Sequence, residues 1–113
     1  MAKRRVESAA ITRGSTNVFE DLGYPDAAER QAKLRLAYAL NQVVEHRGLT
    51  QTAAATLLGL SQPKVSALKN YKLAGFSVER LMTFLNALGQ DVEIVIKNKP
   101  PSRQSARIKV VAA

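Results

Sequence analysis

Residues 49–70 read "LTQTAAATLLGLSQPKVSALKN". The stretch holds no Asp or Glu, carries glutamines at 51 and 62, and places a proline at 63 inside what its apolar spacing marks as helix. Thr50 is positioned to cap a short helix that Gly59 ends, and Ser61 to cap the next one. Pro63 then falls in a first turn, where its missing N–H has no intrahelical acceptor anyway. Two short capped helices joined through Leu58-Gly59-Leu60-Ser61 describe a helix-turn-helix, with Gly59 supplying the positive φ that the turn requires. Ala54 and Ala55 are small enough for a close crossing, and Leu58, Leu60, Val65 and Leu68 are expected to fill the shared core.

Helical chemistry continues on both sides of that unit. At "PDAAE" Asp26 can cap a helix and Glu29 completes a capping box. Ala32, Leu36, Ala39, Leu40 and Val43 then recur at helical spacing up to Gly48. After the loop "KLAGF", Ser77 opens a further helix whose Val78, Leu81, Met82, Leu85 and Leu88 form one apolar stripe closed by Gly89. The period then changes. "DVEIVIK" (residues 91–97) alternates, with Val92, Ile94 and Ile96 on one face, and reads as a strand. "KNKPPSRQS" is a linker or wide turn, and residues 106–111 are a weaker second strand.

The expected architecture is therefore mainly α: a four- to five-helix, helix-turn-helix domain with a C-terminal β-strand or short hairpin. Residues 1–24 form a basic arm, with Phe19, Leu22 and Tyr24 tacking its end onto the core. Residues 25–90 form the domain, and residues 91–113 a strand segment with a basic tail. One isolated strand cannot satisfy its own backbone, and this one is too apolar to stay a free edge. It is expected to pair with its counterpart in a second chain, with residues 106–111, or with both. Val92, Ile94 and Ile96 are the dimerisation residues on this reading, against a monomer whose strands form a private hairpin.

The 113 residues have room for one modest core, and 46% are apolar, so a folded body is expected rather than disorder throughout. The absence of cysteine removes disulfides, thiolate nucleophiles and zinc–thiolate sites, which fits a reducing cytoplasm. No apolar stretch follows the basic N-terminus, so neither a signal peptide nor a membrane span is read. The net charge of +8 favours an anionic partner, nucleic acid first. Lys3, Arg4, Arg5 and Arg13 against Glu7 give residues 1–18 a charge of +3, and Lys99, Arg103, Arg107 and Lys109 give residues 98–113 a charge of +4. Between them the chain is close to neutral, yet residues 50–72 carry Lys64, Lys69 and Lys72 with no acid.

The segment "TQTAAATLLGLSQPKVSALKN" resembles the DNA-binding unit of the Cro/phage-repressor (Xre) superfamily, with Gln51 opening one helix, then Ala55 and Gly59, then Val65 and Leu68 in the next. Beyond it, "NVFEDLGYPDAAE", "FSVERLMTFLNALG" and "DVEIVIK" resemble the small Xre-type regulators that include HigA-like antitoxins. The resemblance covers about residues 17–97. It implies a DNA-binding repressor and, by its flanks, an antitoxin whose partner toxin would be an endoribonuclease of the RelE/HigB sort.

On a wheel of about 100° per residue, Ser61, Val65, Leu68 and Lys72 share the inward side of the second helix of the unit. Pro63, Ser66, Ala67 and Asn70 collect outward, flanked by Gln62 and Lys64. A helix in the major groove reads bases mainly from its N-terminal half, which assigns base contacts to Gln62, Pro63, Lys64 and Ala67, with Ser66 beside them. A glutamine amide pairs with adenine N6 and N7, Lys64 donates to guanine or neutralises a phosphate, and Pro63 and Ala67 suit a thymine methyl. Thr50, Gln51 and Ser61 at the helix starts, and Lys69, Asn70 and Lys72 at the far end, are assigned to phosphate. By resemblance to phage repressors Gln51 also braces Gln62. The plain alternative for each lysine is a solvated surface charge.

No catalytic constellation, metal-ligand set, phosphate loop or cofactor motif appears; His46 stands alone beside Glu45 and Arg47. The sequence reads as a sequence-specific repressor bound as a homodimer to a double-stranded DNA operator, cytoplasmic and not an enzyme, and as the autoregulating antitoxin of a type II toxin–antitoxin pair. The competing readings are a stand-alone phage-type regulator and a protein-interaction module in which the helix-turn-helix is only scaffold.

Overall fold

A computed structural model describes residues 25–112, with side chains from Ala27 onward. The expected arm at residues 1–24 and the Asp26 cap lie outside the described residues and side chains. Four helices follow in order among the described residues: α1 (Pro25–His46), α2 (Gln51–Leu58), α3 (Gln62–Lys69) and α4 (Val78–Ala87). Two compact units divide the chain, one holding residues 33–93 and the other taking in residues 25–32 and 94–110. The first unit contains the helix-turn-helix.

Each helix of that unit begins and ends for a local reason. The Thr50 hydroxyl accepts from the Ala53 N–H at 3.1 Å, and the Ser77 hydroxyl accepts from the Arg80 N–H at 3.1 Å. Ser61 takes the extended conformation of an N-cap, but its hydroxyl accepts no helix N–H. At the other ends, Gly48, Gly59 and Gly89 turn the chain through positive φ. The N–H of the following residue then reaches back to an orphan carbonyl, as in Leu60 N–H to Ala55 O at 3.0 Å.

The core of the helical unit is made by Leu36, Ala37 and Leu40 of α1, Ala54 and Leu58 of α2, Val65 and Leu68 of α3, and Leu81, Phe84 and Leu85 of α4. Leu40, Leu81 and Leu88 are the largest fully buried side chains. α2 packs on α3 and also touches α4. Two side chains fasten helix ends across the core. Asn41 of α1 donates its amide to the Leu68 carbonyl of α3 at 3.2 Å, and Arg47 donates to the Leu88 carbonyl at 2.6 Å. A guanidinium on a C-terminal carbonyl favours the negative end of the helix dipole.

The C-terminal segment departs from expectation. Residues 91–97 and 106–111 form no strand, and the two do not pair into a hairpin. A strand exists only where a neighbour takes its backbone N–H and C=O groups, and neither segment has such a neighbour among the described residues. Val92 is half-buried, whereas Ile94, Val95 and Ile96 are 74%, 74% and 93% exposed, so the alternation in sequence is not matched by an alternation in burial. Between the two segments the Arg103 N–H bonds the Pro100 carbonyl at 3.1 Å, making the expected turn.

Candidate nucleic-acid interface

The first turn of α3 carries Gln62, Pro63 and Lys64 side by side, all exposed, while Val65 and Leu68 point into the core. Ser66 and Ala67 are half-buried on the next turn, and Lys69, Asn70 and Lys72 are exposed at the far end. Thr50 and Gln51, also exposed, stand at the start of α2. That start and the first turn of α3 are joined directly, because the Gln62 amide nitrogen donates to the Thr52 hydroxyl at 3.3 Å.

This bond decides how Gln62 can act. A glutamine amide has two N–H groups and one acceptor oxygen. One N–H is used on Thr52, leaving an N–H and the oxygen, the pair that fits adenine N7 and N6. The brace is therefore Thr52, where the resemblance to phage repressors implied Gln51. Gln51 makes no described side-chain hydrogen bond, and its backbone N–H is one of the orphan donors of the first turn of α2.

Two polar groups at α3 differ from their expected roles in detail. The Ser61 hydroxyl, without a cap to make, is available to an incoming phosphate oxygen. Asn70 uses one amide N–H on the Ser66 carbonyl at 3.0 Å, which closes the end of α3 and leaves one N–H outward.

Lys64 lies with its ammonium 5.8 Å from the centre of the Phe76 ring, and the Arg80 guanidinium sits at the same distance from that ring and 5.2 Å from Phe84. The two rings meet edge to face at 6.0 Å and are buried. Each cation gains about 0.5–1 kcal/mol from such a position at an exposed site. The aromatic pair thus gathers two cations, 16 residues apart in sequence, at the loop between α3 and α4. Arg80 is not singled out in the sequence; the signal for its place beside Lys64 is the aromatic at 76, immediately before the α4 cap. No Asp or Glu occurs in the sequence between Glu45 and Glu79.

His46 lines a shallow hollow with Gln42, Val43, Arg47 and Gln90, none of them a nucleophile with a base. Among the described residues no three His, Cys, Asp or Glu side chains stand close enough to hold a metal. No described helix is long and apolar enough to cross a membrane.

The helix-turn-helix domain family matches residues 18–97 of the chain. Among solved structures, a chain assigned to the XRE family of transcriptional regulators is 73% identical and superposes with a TM-score of 0.76. That match covers 79% of this chain and 100% of the solved one. No curated protein matches. With the family match over more than half its length and this solved relative spanned from end to end, the chain belongs to the helix-turn-helix domain family, as a transcriptional regulator of the Xre type.

Proposed function

We propose that the protein is a sequence-specific repressor that lays α3 in the major groove of an operator, with Gln62, Pro63, Lys64, Ser66 and Ala67 facing base edges. Thr50, Gln51, Ser61, Lys69, Asn70 and Lys72 hold the flanking phosphates. The observation that carries this reading is the exposed, acid-free first turn of α3, with Gln62 braced by Thr52 so that one donor and one acceptor remain outward. The structural neighbour's assignment as a transcriptional regulator supports it.

The protein acts as a homodimer on this proposal. One short reading helix touches too few base pairs to select a site among genomic competitors, and a two-fold pair doubles the contacted length. Val92, Ile94 and Ile96 are the seam, the two isoleucines being mostly exposed in the single chain. The resemblance of the flanks to HigA-like proteins supports a role as the cytoplasmic, autoregulating antitoxin of a RelE/HigB-like toxin.

Footprinting of the purified protein on the DNA upstream of its own gene tests the repressor reading, which expects a protected inverted repeat with half-site centres about 34–36 Å apart or a multiple of it. No protection, or binding equal on all sequences, would overturn it. Co-purification with the product of the neighbouring reading frame tests the antitoxin role separately.

A further inference from the structure

The four described helices end in the same local motif, but one of them is built from the wrong residue. α1, α2 and α4 turn through Gly48, Gly59 and Gly89 at φ values of 64°, 67° and 79°. At the end of α3 the corresponding place is taken by Tyr71, at φ 60°. The hydrogen bonding is that of the glycine ends: Lys72 N–H reaches back to Ala67 O at 2.8 Å, as Leu49 does to Val44 and Gln90 to Leu85. A bulky residue with positive φ is an outlier, because its Cβ crowds the following carbonyl oxygen. Asn70, a residue that tolerates this conformation, stands one place earlier with φ −96° and closes the helix instead.

Beyond these helix-end hydrogen bonds, nothing among the described residues offsets the strain. Tyr71 is 40% exposed, and among the described residues its ring has no aromatic or cation partner and its hydroxyl no hydrogen bond. Around it Lys69, Asn70 and Lys72 are exposed in a stretch without acid. Strained backbone persists at functional sites, where the strain positions a group for use.

We propose that Tyr71, held in the left-handed conformation at the end of α3, donates its phenolic hydroxyl to a phosphate oxygen of the bound DNA backbone. The inference rests on the DNA-binding reading above. The hydroxyl is a neutral donor, so it fixes register on the backbone and adds nothing to counterion release.

The test compares wild type, Tyr71→Gly and Tyr71→Phe on operator and scrambled duplexes over a range of salt, with thermal melts of the free proteins. Tyr71→Gly is expected to raise Tm by about 2–6 °C, since glycine accepts the positive φ. The same variant should lose about 5- to 20-fold in affinity on both duplexes alike, with an unchanged salt slope. Tyr71→Phe keeps the backbone and the ring, so its Tm should stay with wild type while it loses most of the same affinity. Affinity of Tyr71→Gly within twofold of wild type, a lowered Tm, or Tyr71→Phe binding as wild type does would each overturn the inference. Wild type that binds neither duplex would overturn the DNA reading itself, and this inference with it.

Discussion

The contact between Thr52 and Gln62 is where a structural detail predicts a binding energy. Replacing Thr52 by Val keeps the shape and removes the hydroxyl that accepts from Gln62 at 3.3 Å. Both residues are exposed, so the free fold should lose little, and thermal melts serve as the control. In the complex the change matters more. A glutamine gives up about 1.5–2 kcal/mol of side-chain entropy when it is fixed in one rotamer. A brace already present in the free protein removes part of that cost, and a long neutral hydrogen bond is worth about 0.5–1 kcal/mol. Thr52→Val is therefore expected to weaken operator binding by about 0.5–1 kcal/mol, roughly two- to fivefold. Gln62→Ala, which deletes the base contact itself, should cost about 1–3 kcal/mol on operator and little on scrambled DNA.

The double variant carries the argument. If Thr52 acts only by holding Gln62, removing it from a protein that already lacks Gln62 costs nothing, and the coupling energy equals the whole Thr52 effect. Fluorescence anisotropy of the four proteins on operator and scrambled duplexes at one salt concentration measures this. A Thr52→Val loss that is the same in both backgrounds would refute the brace and make Thr52 a DNA contact in its own right.

Lys69→Ala and Lys72→Ala should each lower the slope of log K against log salt by roughly one and weaken operator and scrambled DNA alike, read by salt titration; an unchanged slope returns that lysine to the solvated surface. Gly59→Ala should cost about 1–2 kcal/mol through local backbone strain alone, because apart from the adjoining backbone nothing lies within 4 Å of the added Cβ. Gly89→Ala meets the Arg47 guanidinium at 3.2 Å besides its φ of 79°, so its Tm should fall further than that of Gly59→Ala in the same melts. Ile94→Asp should convert the proposed dimer to monomer in sedimentation and abolish the operator footprint while the helical circular dichroism is retained; wild type that is already monomeric at tens of micromolar and still footprints one half-site would refute the seam.

The parts legible in the sequence are those that local chemistry decides. Thr50, Ser77, Gly48, Gly59 and Gly89 each act within one turn of chain, and their roles follow from residue type and spacing. The exposed first turn of α3 is legible for the same reason: Val65 and Leu68 set which side faces in. What the sequence hid depends on contacts between distant residues. Phe84, at the edge of the α4 stripe beside Leu81 and Leu88, is buried, and its edge-to-face contact with Phe76 of the preceding loop is not legible from spacing along α4. Thr52 and Gln51 are both exposed at the start of α2, and only the placement of α3 selects the hydroxyl over the amide. Tyr71 is invisible to a search for glycine ends, since it takes the glycine conformation without the glycine. Residues 91–97 alternate as a strand does, but alternation records which residues a sheet could bury and supplies no neighbour to pair with.

The shortage of acids around α3 and the shortage of hydrogen-bonding groups on its reading face bear on each other. A carboxylate near Lys64, Lys69 or Lys72 would compete with DNA for those cations and repel the phosphates that the proposal has them meet. The repulsion among the cations themselves is tolerated because they are exposed, and salt screens exposed charges beyond about 8 Å under physiological conditions. Such a surface attracts every duplex equally. Against it, the first turn of α3 offers one glutamine amide and one ammonium, and the rest of the face is Pro63, Ala67 and the half-buried Ser66. One bidentate contact discriminates by about 1–3 kcal/mol, far less than selection of a genomic site requires. On the dimer proposal, the remaining selectivity comes from the spacing of two half-sites and from the shape of the DNA between them. A repressor of the proposed kind depends for its specificity more on how two chains are joined than on what either one reads.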